Sequence, residues 1–160
     1  GLSQLLHGHG GPPLPNKLTL GQALSFAMDI ARGIEYLHLQ RILHLDLKSP
    51  NVLNSAPWTA KLCDFGLAKM RGNQHAVQST LPGISPIWAP PEMFQDDRRL
   101  TEAVDVYSFA IILLELLTME IPFDEVSNAQ LPSVKARGEL PKIPDEVPQD
   151  CGQFALQCCA

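Results

Sequence analysis

Ile42-Leu43-His44-Leu45-Asp46-Leu47-Lys48-Ser49-Pro50-Asn51-Val52-Leu53 is the stretch on which the chain turns, and Asp64-Phe65-Gly66 answers it thirteen residues after Asn51. A carboxylate, an ammonium and a carboxamide sit at short spacing between apolar pieces. Ile42-Leu43, Val52-Leu53 and residues 60–63 are each too short for a helix and are bounded by turn residues. They read as small strands that present the loop 44–51 and the Asp64 corner at one edge, with Ala56-Pro57-Trp58 as a hairpin tip.

Upstream, Leu2, Leu5 and Leu6 suggest a short helix ended by Gly8, Gly10 and Gly11, and Pro12, Pro13 and Pro15 then form a stiff loop. Thr19 and Gln22 have capping-box spacing. Leu20, Leu24, Ala27, Ala31 and Ile34 follow at three- and four-residue steps, which predicts a helix over 20–38 with that face buried. Gly33 inside it costs about 1 kcal/mol against Ala, so a close neighbour is expected there.

Downstream, periodicity vanishes over 67–91, which predicts an irregular loop, closed by a short helical turn at Met93 and Phe94. Thr101 and Glu102 open a helix that is apolar nearly all round and should lie at the centre of the core, ended by Ile121-Pro122-Phe123. A more polar helix is predicted over 128–137, stopped by Gly138. An extended surface stretch with Pro141, Pro144 and Pro148 follows, and another helix over 153–159.

At 160 residues the chain fits one domain or part of one. Its apolar fraction of 45% and charged fraction of 18% are ordinary for a globular chain, and its net charge of −5 argues against a nucleic-acid surface. Cys63, Cys151, Cys158 and Cys159 give neither a disulfide framework nor zinc spacing, so reduced thiols are expected. No signal peptide is visible. The most apolar run, 106–114, is far shorter than the roughly 20 residues a membrane span needs, so no membrane segment is expected.

The polar residues carry a chemical logic when taken together. An Asp in a rigid loop, such as Asp46, can orient a hydroxyl and accept its proton. Lys48 can neutralise charge that develops on phosphate oxygens. Asn51 offers a neutral oxygen and Asp64 a charged one to a hard cation such as magnesium, which is content with one or two protein ligands. Taken singly, Asp46, Asn51 and Asp64 are turn residues and Lys48 is a surface lysine. The joint pattern decides for phosphoryl transfer.

The pattern His-x-Asp-Leu-Lys-x-x-Asn followed by Asp-Phe-Gly resembles the catalytic loop and magnesium-binding triplet of eukaryotic protein kinases. Pro90-Pro91-Glu92 stands where that family has Ala-Pro-Glu, and Asp105-Val106-Tyr107-Ser108-Phe109-Ala110 resembles its central-helix signature. Lys48 is the serine/threonine form. The strings 42–48, 90–92 and 105–110 resemble the receptor-interacting protein kinases of the tyrosine-kinase-like group.

The resemblance implies an α+β fold: the mainly helical C-terminal lobe of a protein kinase with a few short strands and no N-terminal lobe. Residues 1–160 would be a partial kinase domain truncated at both ends, with an activation segment over 64–92. It implies transfer of the ATP γ-phosphate to a protein Ser or Thr. Asp46 would be the base, Lys48 would contact the phosphate, Asn51 and Asp64 would hold Mg2+, and Leu53 would lie under the adenine. His44 and Phe65 would stack as half of a regulatory spine, and Asp105 would hold the catalytic-loop backbone. A cytoplasmic location is expected. The chain has no Gly-rich phosphate loop and no Lys–Glu pair, which the family carries in the N-terminal lobe. The isolated chain is therefore expected to be inactive, and the alternative is a pseudokinase-like scaffold.

Two departures matter. Leu45 replaces the Arg that most family members use to bind an activation-loop phosphate. Phosphorylation at Ser79, Thr80 or Ser85 should then not switch activity through residue 45. Glu92 pairs in the family with an Arg far downstream, and no Arg follows Arg137 in this chain.

Overall fold

Thr19 begins the longest helix as its spacing predicts. Its hydroxyl accepts from the Gln22 backbone at 3.3 Å, and the Gln22 side chain accepts from the Thr19 backbone at 2.8 Å. Two otherwise orphaned amides are thereby satisfied. The computed structural model describes residues 1–8, 18–56, 58–70, 83–95 and 100–159. In it this helix, α2, spans Leu20–Leu39, after a short α1 over Leu2–His7 that ends at Gly8 with φ 70°. The buried stripe of α2 is Ala23, Phe26, Ala27, Ile30, Ile34 and Leu37. It is rotated from the predicted face, because the large Phe26 and Ile30 go inward and leave Leu20 and Leu24 45% and 39% exposed. Gly33 has the expected close neighbour: a Cβ there would meet Leu62 Cδ1 at 2.9 Å.

The core is built on α3, Ala103–Thr118, in which thirteen of sixteen residues are buried. An all-round apolar helix has to be enclosed on every side. Here α2 packs on it, as does α5, Gln149–Cys158. The helix stops before the predicted Ile121-Pro122-Phe123. Thr118 Oγ1 bonds back to the Leu114 carbonyl and accepts from the Glu120 amide, and Met119 turns left-handed at φ 59°. Helix α4 covers Leu131–Ala136, shorter than expected because 127–130 form a separate turn. Helix α5 starts four residues earlier than expected, directly after Pro148. The proline-rich stretch before it is not wholly at the surface, since Pro141 and Val147 are buried.

The strands form two small antiparallel pairs. β2, Val52–Ala56, pairs with β3, Thr59–Leu62, with Val52 opposite Leu62. β1, Ile42–Leu43, pairs with β4, Lys69–Met70. β4 lies in the stretch predicted to be irregular, because two residues cannot display an alternation. A 3-10 turn at Pro91–Phe94 matches the predicted helical turn. Pro57, the Pro12–Pro15 loop, Ser79 and Thr80 lie outside the described residues. Among the described residues no helix is long and apolar enough to cross a membrane.

Candidate active site

The loop between β1 and β2 is fixed from below by the central helix. Asp105, fully buried in the first turn of α3, accepts from the His44 amide at 2.9 Å and the Leu45 amide at 3.0 Å. Its Oδ2 also lies 2.8 Å from His38 Nε2. A carboxylate with several donors can remain buried at acceptable cost. Leu45 is held at φ 64°, a left-handed conformation that an L side chain adopts only when its surroundings impose it. Its side chain is buried with Leu43, Ala89, Met93 and Val104, and Leu67, Ile84, Phe94 and Leu100 pack on this group.

Above that floor the predicted chemical groups converge. Lys48 Nζ is 2.8 Å from Asp46 Oδ2. Asn51 Nδ2 donates to the Asp46 carbonyl at 2.9 Å and to Asp46 Oδ2 at 3.0 Å, which leaves the Asn51 Oδ1 as its accepting atom. The Asn51 carbonyl accepts from the Cys63 amide at 2.9 Å, so the residue preceding Asp64 is tied to Asn51. Asp64 is exposed at φ 61°, and one of its oxygens accepts from the Gly66 amide at 3.3 Å. Leu53 and Phe65 are half-exposed, at 46% and 49%. Phe65 meets the buried His44 ring with centroids 5.2 Å apart.

Ser85 belongs to this group, contrary to its reading as a loop hydroxyl open to modification. Its Oγ accepts from Lys48 Nζ at 2.9 Å and donates to Asp46 Oδ1 at 3.3 Å. No spacing rule links residue 85 to residue 46, and only the fold brings them together.

Two buried charges near the site also escaped the sequence reading. Glu115 is fully buried in α3 and receives Ser49 Oγ at 2.8 Å and Trp88 Nε1 at 2.7 Å, with His7 Nε2 at 3.0 Å. Its one available signal was a charge set among Leu113, Leu114, Leu116 and Leu117 in a helix apolar nearly all round, which requires partners. Lys135, 3% exposed in α4, donates to the carbonyls of Pro86, Ile87 and Ala89 and lies over the rings of Tyr107 and Phe123. Burial lowers its amine to about 7, opposed by the nearby Cys159. Burial pushes the Cys159 thiol up to about 12, and Tyr107 is likewise raised by burial, then by Cys159 and Glu92.

The chain matches the model of the protein tyrosine and serine/threonine kinase family over residues 1–160. It is 37% identical over 143 residues to the RGS domain-containing serine/threonine-protein kinase A of Dictyostelium discoideum, a match covering 89% of this chain and 12% of that protein. To the serine/threonine-protein kinase CTR1 of Arabidopsis thaliana it is 39% identical over 132 residues, covering 81% of this chain and 16% of CTR1. To the mitogen-activated protein kinase kinase kinase dlk-1 of Caenorhabditis elegans it is 35% identical over 147 residues, covering 89% of this chain and 15% of that protein. The chain thus spans less than a fifth of each of these three relatives. With a family model covering it from end to end, and with a carboxylate, an ammonium and a carboxamide gathered on one loop, this chain belongs to the protein tyrosine and serine/threonine kinase family.

Proposed function

We propose that this chain is the C-terminal-lobe part of a protein serine/threonine kinase, and that it carries the acceptor side and the metal side of the transfer site. The reaction joins the oxygen of a protein Ser or Thr hydroxyl to the γ-phosphorus of ATP. The bond from that phosphorus to the bridging oxygen breaks and ADP leaves. Asp46 takes the hydroxyl proton, and Lys48 sets a positive charge beside the phosphate oxygens where negative charge grows. Leu53, half-exposed, offers an apolar face to the adenine.

The donor set fits magnesium. Asn51 Oδ1 and the Asp64 carboxylate are hard oxygen ligands, and Asp64 is exposed with a single amide on one of its oxygens. When bound, the metal would neutralise phosphate charge. The observation that carries the reading is the hydrogen-bonded group of Asp46, Lys48, Asn51 and Ser85 on a loop bolted to Asp105. We place the protein in the tyrosine-kinase-like group, nearest the receptor-interacting protein kinases, and in the cytoplasm.

The test is transfer of labelled phosphate from ATP to Ser- and Thr-containing peptides by the full-length protein. Asp46→Asn should lower kcat by roughly 10²–10⁴-fold. Equal rates for both forms would favour the second reading, a pseudokinase-like scaffold, which the loss of an Arg at Leu45 permits. Residues 1–160 alone lack a Gly-rich phosphate loop and should transfer nothing measurable. Robust transfer by that chain, abolished by Asp46→Asn, would overturn the half-site reading.

A further inference from the structure

We propose that Lys135 is a positioning residue for the acceptor hydroxyl: it holds the segment 85–89, and through it Ser85, against Asp46 and Lys48. The inference rests on the kinase reading for the meaning of that site, and on geometry for the hold itself. Nζ of Lys135 is 2.8 Å from the Pro86 carbonyl, 2.7 Å from Ile87 and 2.7 Å from Ala89. The one carbonyl missing from that run, Trp88, accepts from Ser108 Oγ at 3.0 Å. Four consecutive carbonyls are therefore held by side chains of α3 and α4. The segment's own bonds are few: the Trp88 and Ala89 amides both reach the Ser85 carbonyl at 3.2 Å.

Space-filling does not account for a lysine here. A methionine would fill the gap between Tyr107 and Phe123 without bringing an amine into the core. Among the described residues no carboxylate compensates the charge of Lys135. What the amine supplies, and an apolar side chain cannot, is a common donor for three carbonyls that converge on one point. Ser85 directly precedes the first of them, and its hydroxyl bridges Asp46 and Lys48. The hold on 86–89 thus sets where the hydroxyl-binding wall stands relative to the base. Release of the hold should loosen acceptor binding and leave the Asn51–Asp64 side untouched.

The experiment compares full-length wild type with Lys135→Met in steady-state transfer to a Ser-containing peptide and in amide hydrogen exchange. The expected result is a rise of about tenfold or more in peptide KM, the scale of losing one or more buried hydrogen bonds, with ATP KM within about twofold. Exchange at Trp88 and Ala89 should accelerate by a similar factor while α2 and α3 stay protected. A uniform loss of protection, or equal changes in both KM values, would make Lys135 merely structural and overturn the proposal. So would unchanged exchange at Trp88 and Ala89. Should Lys135→Met fail to fold, Lys135→Gln, which keeps a donor but cannot meet three carbonyls, carries the same expectations. A wild type that transfers no phosphate would sink the kinase reading, and the exchange comparison would still decide whether Lys135 holds the segment.

Discussion

His44 is the residue whose chemistry and surroundings disagree most. It is fully buried, and neither ring nitrogen has a hydrogen-bond partner among the described residues. Its backbone amide bonds Asp105, and its ring meets Phe65. The imidazole therefore contributes shape and ring contact, while its two polar atoms are desolvated without return. Replacing a buried unpaired polar group by an apolar one of similar shape is neutral or stabilising. His44→Phe in the full-length protein should leave the urea midpoint unchanged or raise stability by about 1 kcal/mol, with Phe65 still stacked. A loss of more than about 1 kcal/mol would mean that the nitrogens do hold a partner, such as an ordered water.

At the scale of elements, the chain was legible wherever a pattern is local. The capping box at Thr19 and Gln22, the end of α1 at Gly8 and the all-round apolar α3 are properties of short windows, and each is where its residues put it. The loop 44–51 was legible because four chemically demanding residues stand within a few positions of one another. What could not be read depends on distance along the chain. Ser85 meets Asp46 across 39 residues and Lys135 meets Ile87 across 48. The facing of α2 could not be read either, because two apolar stripes competed and only the partner surfaces decide between them. Leu45 joins both cases. Its identity announced that a phosphate-binding Arg was missing, and the fold adds what stands in its place. Leu67 and Ile84 pack on the cluster around it, as do Phe94 and Leu100, so apolar contact anchors the described residues on either side of the stretch 71–82. An anchor of this kind has no use for an added charge. The double variant Ser79→Ala/Thr80→Ala of the full-length protein should keep its peptide kcat/KM within about twofold. A drop of tenfold or more in the same assay would show that a phosphate on this segment still acts, by a route other than residue 45.

For the whole molecule, Glu115 links four parts of the chain that lie far apart in sequence. Its carboxylate joins α1 through His7, the loop 44–51 through Ser49, the segment 85–89 through Trp88, and α3, where it resides. Ser49 adjoins Lys48, and Trp88 lies in the run held by Lys135, so this one buried acid couples the position of Lys48 to that of the segment that carries Ser85. A buried charge stabilises little in itself, but removing it strands every donor that was built around it. Glu115→Ala should cost about 3–5 kcal/mol, a large part of the 5–15 kcal/mol that holds a typical domain together. Glu115→Gln should cost much less. Its oxygen can still face Trp88 Nε1, and its amide can donate to Ser49 Oγ, a hydroxyl that accepts as readily as it donates. Urea unfolding of the two variants separates these cases. If Gln is as damaging as Ala, the negative charge itself matters more than the acceptor geometry. If Ala is as mild as Gln, Trp88 and Ser49 find other partners, and the acid does not couple the two halves of the site.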